Sequence, residues 1–178
     1  MTAEQRLADL LRERGAESID HPGGTLYAHL ERVQRRLAGL GAPEHLQLAA
    51  RAHAVYGTDG FAVRLLADDE RELLAGVIGS DAERLVHRYG VCDRDRTWPD
   101  LPASGRVWDR HTGADEELSG DELRDLADLS LVNELDVAEH AAGFVERYGA
   151  FFRRLTGRWT PILSPAVAAD ARRVFGAD

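Results

Sequence analysis

The sequence contains no lysine and only one cysteine, Cys92. A single cysteine allows no internal disulfide and no cysteine-rich zinc site, and we expect Cys92 to be a small buried side chain. All 22 basic residues are arginine, which excludes Schiff-base chemistry and a lysine general base. These features favour a reducing, cytoplasmic location.

Long apolar runs are also missing. Eighteen apolar residues never follow one another, so no spanning helix is expected, and the charged, amphipathic N-terminus predicts a helix rather than a secretion signal. A formal charge of −9 gives little attraction for a phosphate backbone or an anionic bilayer. We therefore expect a small-molecule substrate and neither nucleic acid nor a membrane as partner. A homodimer is compatible with the sequence.

The chain is long enough to bury a core. With 178 residues, 44% hydrophobic and 30% charged, residues 1–178 are expected to form a single domain. Apolar residues recur at helical spacing over most of the chain, and no repeat is present. The predicted fold class is therefore all-α, a compact bundle of six to eight helices.

Start and stop residues set the predicted helix boundaries. Thr25 is the expected N-cap of a helix that runs to about Gly39, and Pro43 begins the next helix, which carries His53. Ser80 with Glu83, and Ser119 with Glu122, have the spacing of capping boxes. Two more helices are predicted over residues 2–14, where Gly15 ends the helix, and over residues 68–78. The helix that starts at Ser119 is expected to continue beyond Ala142 with a break near Gly143 or Gly149, and a last helix begins at Ser164-Pro165.

Three segments are not predicted to be helical. Pro22, Gly23 and Gly24 exclude helix continuation, so His21 is expected in an irregular segment. Residues 92–105 are rich in turn formers and predict the longest loop. Residues 106–118 predict one small β-hairpin with its tip near Gly113, the only strand signal in the chain.

The candidate site consists of histidines. His29 and His53 lie on the inward stripes of successive helices, and His21 precedes the first of them. Imidazole is the commonest protein ligand for zinc, iron and copper, so His21, His29 and His53 are predicted metal ligands. Polar residues on the helix after Ser119 would touch the substrate or support the ligands; these are Asp128, Asn133 and Asp136. The alternative is that each histidine only packs in the core.

The segment after His53 supplies the candidate catalytic groups. Tyr56 could donate to a bound anion or substrate, the backbone N–H groups near Thr58 could line the pocket, and Asp59 could assist. The alternative is a turn at the helix C-terminus in which the tyrosine simply packs.

These histidines also carry a resemblance to a known family. An inward histidine on one helix and a second on the next, followed by a polar residue on a later helix, resembles the HD-domain superfamily of all-α metal proteins. Residues 21–30 (HPGGTLYAHL) and 51–61 (RAHAVYGTDGF), with the later LADLSLVNELD, look like an uncharacterised bacterial family of HD-like proteins with an H-x-x-Y-G-T motif. The resemblance spans roughly Asp20 to Glu139. The resemblance implies an HD-like helical bundle and metal binding by His29 and His53.

The chain departs from the superfamily pattern at two positions. Residue 54 is alanine where the motif has its aspartate, and Asn133 stands where the last aspartate is expected. Since that first aspartate bridges two metals in the superfamily, its loss argues against a dinuclear centre and against ordinary phosphohydrolase chemistry.

Several functions remain open at this stage. The first is a metal-dependent enzyme acting on a small molecule, with a mononuclear non-haem iron site of the oxygenase type favoured over a zinc or manganese site, and a phosphohydrolase-like hydrolase as runner-up. The second is a metal-free enzyme in which a histidine acts as acid and base. The third is a non-catalytic ligand-binding domain.

Overall fold

The computed structural model describes residues 1–177 and confirms the predicted all-α class. Its contacts divide the chain into two compact units, residues 1–92 and the part from Asp93 onward. Ten α-helices occur within residues 1–177, more than the six to eight predicted. Two of them are single turns, and the other eight are longer. The expectation of a single domain stays a prediction.

The first unit holds five helices and a short two-stranded ribbon. The elements are α1 (Ala3–Glu13), β1 (Asp20–His21), β2 (Gly24–Thr25), α2 (Leu26–Gly39), α3 (Glu44–Ala52), α4 (Arg71–Ile78) and α5 (Ser80–Val91). Helix α3 packs against α2 and α5, and α4 packs against α1 and α5. Leucine and alanine side chains from these helices form the core, among them Leu30 and Ala49.

The second unit holds five helices and a hairpin. The elements are α6 (Arg94–Thr97), α7 (Leu101–Ser104), β3 (Arg106–Asp109), β4 (Ala114–Glu117), α8 (Gly120–His140), α9 (Phe144–Trp159) and α10 (Pro165–Phe175). Strands β3 and β4 pair antiparallel from Arg106 opposite Glu117 to Asp109 opposite Ala114, which confirms the predicted hairpin. The core of this unit combines aliphatic side chains, many of them leucines of α8, with aromatic rings. Among these rings, the Trp159 indole donates to the Trp98 carbonyl at 3.2 Å.

Most predicted helix starts are confirmed. Thr25, Ser119 and Ser164 are N-caps whose hydroxyls accept backbone N–H groups. The break between α8 and α9 falls at Gly143, which has φ of +77°, a value that glycine adopts without strain. Gly149 lies inside α9 and does not interrupt it.

Three predictions about local structure were wrong. Ser80 is not an N-cap, because Gly79 holds that position and the Glu83 carboxylate is bound by Tyr56 and Arg71 instead. Residues 92–105 are not one loop: the Asp93 carboxylate accepts the Arg96 N–H and starts α6, and α7 follows. His21 lies in β1 rather than in an irregular segment.

No helix between residues 1 and 177 has the length and apolar character that crossing a membrane requires.

Candidate functional site

The structure brings His29 and His53 together in the core of the first unit. Their Nε2 atoms lie 3.4 Å apart, and the side chains are almost completely buried, with exposed fractions of 1% and 2%. The two rings meet nearly perpendicular, with an interplanar angle of 81°. Both imidazoles therefore direct a ring nitrogen at the same point.

A backbone carbonyl fixes the orientation of His53. This residue ends α3 with near-helical dihedrals, and its Nδ1 lies 2.7 Å from the carbonyl oxygen of Ala50. Because a carbonyl oxygen can only accept, Nδ1 carries the hydrogen. In the neutral ring the lone pair is then on Nε2, the nitrogen that faces His29. This is the arrangement in which protein carbonyls prepare histidines for metal binding.

His21 lies against a face of the His29 ring. The two rings are stacked, with centroids 3.9 Å apart and an interplanar angle of 23°. The ribbon of β1 and β2 places His21 there, because its turn passes through Gly23 and Gly24, both with positive φ. The Arg32 guanidinium fastens this turn by donating to the carbonyls of Pro22 and Gly23 at 3.0 and 3.2 Å.

Two further rings extend the row of histidines at both ends. The buried Tyr89 ring, from α5, meets the His53 ring at an angle of 86° with centroids 5.2 Å apart. The half-buried Phe61 ring meets His21 edge to face at 5.6 Å. The five rings form one continuous series from Tyr89 in the core to Phe61 near the surface, with the three histidines between two aromatic side chains.

The turn after α3 delivers Phe61 to this series. Thr58 is buried, and its N–H and carbonyl both pair with Phe61, at 2.8 and 3.1 Å. Asp59 is partly exposed at the intervening turn. Thr58 therefore acts through its backbone to close the turn that holds Phe61 over His21.

The hydroxyl of Tyr56 is directed to a different group. It donates to Glu83 at 3.1 Å, and Glu83 also accepts from the Nε and Nη2 atoms of Arg71 at 2.6 and 2.8 Å. Burial, followed by the charge and hydrogen bond of Glu83, raises the pKa of the Tyr56 phenol. Tyr56 is therefore a neutral donor in this structure, and it ties the turn after α3 to α5.

The three candidates from the later helix all lie on α8 in the second unit. Asp128 accepts the backbone N–H of Ser164 at 3.0 Å, and Asn133 donates to Glu134 at 3.0 Å. The Asp136 carboxylate lies 3.4 Å from Nδ1 of His140. Burial raises the pKa of the Asp128 carboxyl, although hydrogen bonds from Ser164 partly oppose the shift.

The histidine geometry fits a metal ion in part. Two nitrogens that bind one tetrahedral ion at the usual distance of about 2.0 to 2.1 Å are roughly 3.3 to 3.4 Å apart, and the Nε2 atoms of His29 and His53 have this separation. Stacked rings do not direct in-plane lone pairs at one point, so His21, as placed, does not complete the set. Accordingly, no group of three or more histidine, cysteine, aspartate or glutamate side chains among residues 1–177 is arranged to hold a metal ion.

Sequence reasoning missed two residues of the site, Tyr89 and Phe61. Tyr89 belongs to the apolar stripe of α5, so the pattern indicates that it is buried but not which neighbour it meets. Phe61 follows a turn whose closure depends on the pairing of Thr58 with Phe61, and helical or strand periodicity gives no signal for such a turn.

Comparison with known protein families matches part of this chain. Residues 10–94 match the model of a family described as a domain of unknown function, DUF6817. No curated protein and no solved structure gave a significant match. The matched residues include His21, His29, His53, Phe61 and Tyr89, so this likeness covers the whole series of rings in the first unit.

Proposed function

We propose that the first unit is the metal-binding part of an enzyme that acts on a small molecule. His29 and His53 are the ligands to which we assign the metal, and His21 is the proposed third donor. The observation that carries the proposal is the 3.4 Å separation of two buried Nε2 atoms, one of them with its lone pair fixed by the Ala50 carbonyl.

The surroundings of the pair support this assignment. Both imidazoles are almost completely buried, and their Nε2 atoms face each other at the separation that two ligands of one tetrahedral ion have. A metal ion bound there would be held by two neutral nitrogen donors in the core of the first unit. His21 supports the set in a different way, because it lies against His29 on a ribbon separate from the helices; the proposal requires its ring to turn so that a nitrogen faces the ion.

The metal proposed is divalent, with iron favoured over zinc or manganese. Bound at two or three imidazoles with open positions, such an ion supplies either O₂ chemistry or an activated water for hydrolysis. The absence of an aspartate at position 54 supports the oxidative version, because a bridging carboxylate next to His53 is missing. The HD-like relationship remains part of this proposal.

The chain's own residues have distinct proposed roles. His53 and His29 hold the metal, while Phe61 and Tyr89 shield it from water on two sides. Asp59, at the more exposed end of the series, is the proposed substrate contact. The backbone N–H groups of Gly57 and Thr58, expected from the sequence to line the pocket, pair with Ala54 and Phe61 instead. Tyr56 is proposed to contribute by holding the turn that carries Asp59, since Glu83 binds its hydroxyl.

A metal-free acid and base pair is the competing function. The specific observation in its favour is that the His53 ring is fixed by the Ala50 carbonyl with its Nε2 facing that of His29. With Nδ1 of His53 donating to Ala50, a proton on Nε2 of His29 would point at the lone pair of His53, although 3.4 Å is long for such a hydrogen bond. In this version chelators leave the activity unchanged.

Metal analysis of freshly purified protein tests the proposal. We expect about one equivalent of iron or a similar metal per chain, and its loss in His53→Ala and in His29→Ala, because each variant removes one of the two converging ligands. His111→Ala is the matched control, since His111 is exposed in the turn of the β3–β4 hairpin. A folded, metal-free protein that takes up no added Fe²⁺, Zn²⁺ or Mn²⁺ would overturn the metal assignment and leave the acid and base pair.

A further inference from the structure

Helix α9 in the second unit presents an unusual number of exposed apolar side chains. Val145, Tyr148 and Phe151 have exposed fractions of 37%, 40% and 46%, and they are half of the six large hydrophobic residues that are exposed within residues 1–177. Single exposed apolar residues are normal, but a group on one helix marks an interaction surface.

The same helix carries arginines that have no acidic partner. Arg147, Arg154 and Arg158 are exposed and make no ion pair with any residue between 1 and 177. The Arg147 guanidinium lies over a neighbouring aromatic ring, 5.1 Å from the centroid of Tyr148. Elsewhere arginines with acidic partners are common, for example Arg71 with Glu83 and Arg173 with Glu139.

Arg147, Phe151, Arg154 and Arg158 form one stripe, which we call the α9 stripe. These positions are three or four residues apart and so lie on the same side of the helix, with Tyr148 beside them and Val145 outside the stripe. Arginine and aromatic residues are the types enriched at the energetically important centres of protein interfaces. The stripe is therefore suited to an acidic partner surface that also covers Phe151.

The chain itself carries such an acidic surface. Residues 115–125 contain six acidic residues and a single arginine, and the acids of β4, Asp115, Glu116 and Glu117, are all exposed. Asp115 makes no ion pair with any other residue of the range 1–177. This acidic segment therefore carries the negative charge that would complement the arginines of the α9 stripe.

We propose that a second copy of the chain covers the α9 stripe with its acidic segment. Contact between two α9 helices is disfavoured, because it would bring the arginines of both copies together. Pairing of the stripe with the acidic segment places opposite charges in contact, and a two-fold dimer forms this contact twice. Phe151 is then buried at the centre and the charge pairs surround it.

Mass measurement in solution as a function of concentration and salt tests the proposal on the unmodified protein. We expect a dimer at low ionic strength that dissociates as salt rises, because exposed charge pairs are screened. Arg154→Glu with Arg158→Glu, and separately Phe151→Ser, should each weaken dimerisation by about tenfold or more. Combining Arg154→Glu and Arg158→Glu with Asp115→Arg and Glu117→Arg, which share one face of β4, should restore it, since both charge signs are exchanged.

A matched control changes the same number of charges away from the stripe. Arg35→Glu with Arg84→Glu, on α2 and α5, should leave the dimer intact. A protein that is monomeric at every concentration, or a dimer that the α9 variants do not weaken, overturns the proposal. Binding of the monomer to anionic phosphatidylserine vesicles, lost in Phe151→Ser, would also overturn it and assign the stripe to a lipid surface. All of these outcomes are independent of metal content.

Discussion

The buried carboxyl of Asp128 is expected to make the stability of the fold depend on pH. Burial raises its pKa above the ordinary value of 3.8, so the folded chain binds this proton more tightly than the unfolded chain does. Its contribution to stability is therefore largest below the unfolded pKa and falls as pH rises through the window that begins near 3.8. At neutral pH the ionised carboxylate is a cost that the Ser164 N–H only partly offsets.

Asp128→Asn should remove this dependence. The amide keeps a carbonyl oxygen that can accept the Ser164 N–H but carries no charge, so the variant should gain stability relative to the wild type between pH 4 and pH 7. Urea unfolding at the two pH values measures the change. Asp121→Asn, at the exposed start of the same helix, controls for loss of a charge. A difference between Asp128→Asn and wild type that is the same at both pH values would contradict the assigned cause.

The helix caps show which local features the sequence could predict. Ser119 and Ser80 both precede a glutamate by three residues, yet only Ser119 forms a capping box. The difference is tertiary: Glu83 is bound by Arg71 on α4 and by Tyr56 beyond α3, and no local pattern reveals this. Helical spacing was enough to predict that His29 and His53 face the core. The stacking of His21 on His29 could not be predicted, because it depends on the ribbon of β1 and β2.

The two serines form a matched pair for a stability test. Ser119→Ala should destabilise the fold by about 1 kcal/mol, because it removes the hydroxyl that accepts the Glu122 N–H. Ser80→Ala should change the free energy of unfolding by less than about 0.5 kcal/mol, since Ser80 makes no cap. Chemical denaturation of both variants gives the comparison. Equal losses would show that the cap at Ser119 contributes nothing beyond the loss of a serine.

For the whole molecule, metal binding and folding stability are linked. A ligand that binds only the folded chain stabilises it by RT ln(1 + [L]/Kd), about 2.7 kcal/mol when the free ligand is at a hundred times Kd. For a chain of 178 residues each kcal/mol corresponds to roughly 2 to 4 °C in Tm. Added Fe²⁺ under anaerobic conditions should therefore raise the Tm of the metal-depleted wild type by several degrees.

Variants of the three histidines show which side chains the metal-induced rise in Tm depends on. His29→Ala and His53→Ala should lose it entirely, and His21→Ala should lose part of it, because His29 and His53 already face each other at 3.4 Å whereas the His21 ring must turn to contribute. The Tm of metal-free His21→Ala, compared with that of the metal-free wild type, measures how much the packing of the His21 ring stabilises the fold. The metal-induced rise in Tm of this variant is measured from that value. If the metal shift were unchanged in His29→Ala, the ion would be bound elsewhere, and the 3.4 Å contact would be explained by a hydrogen bond between the two imidazoles.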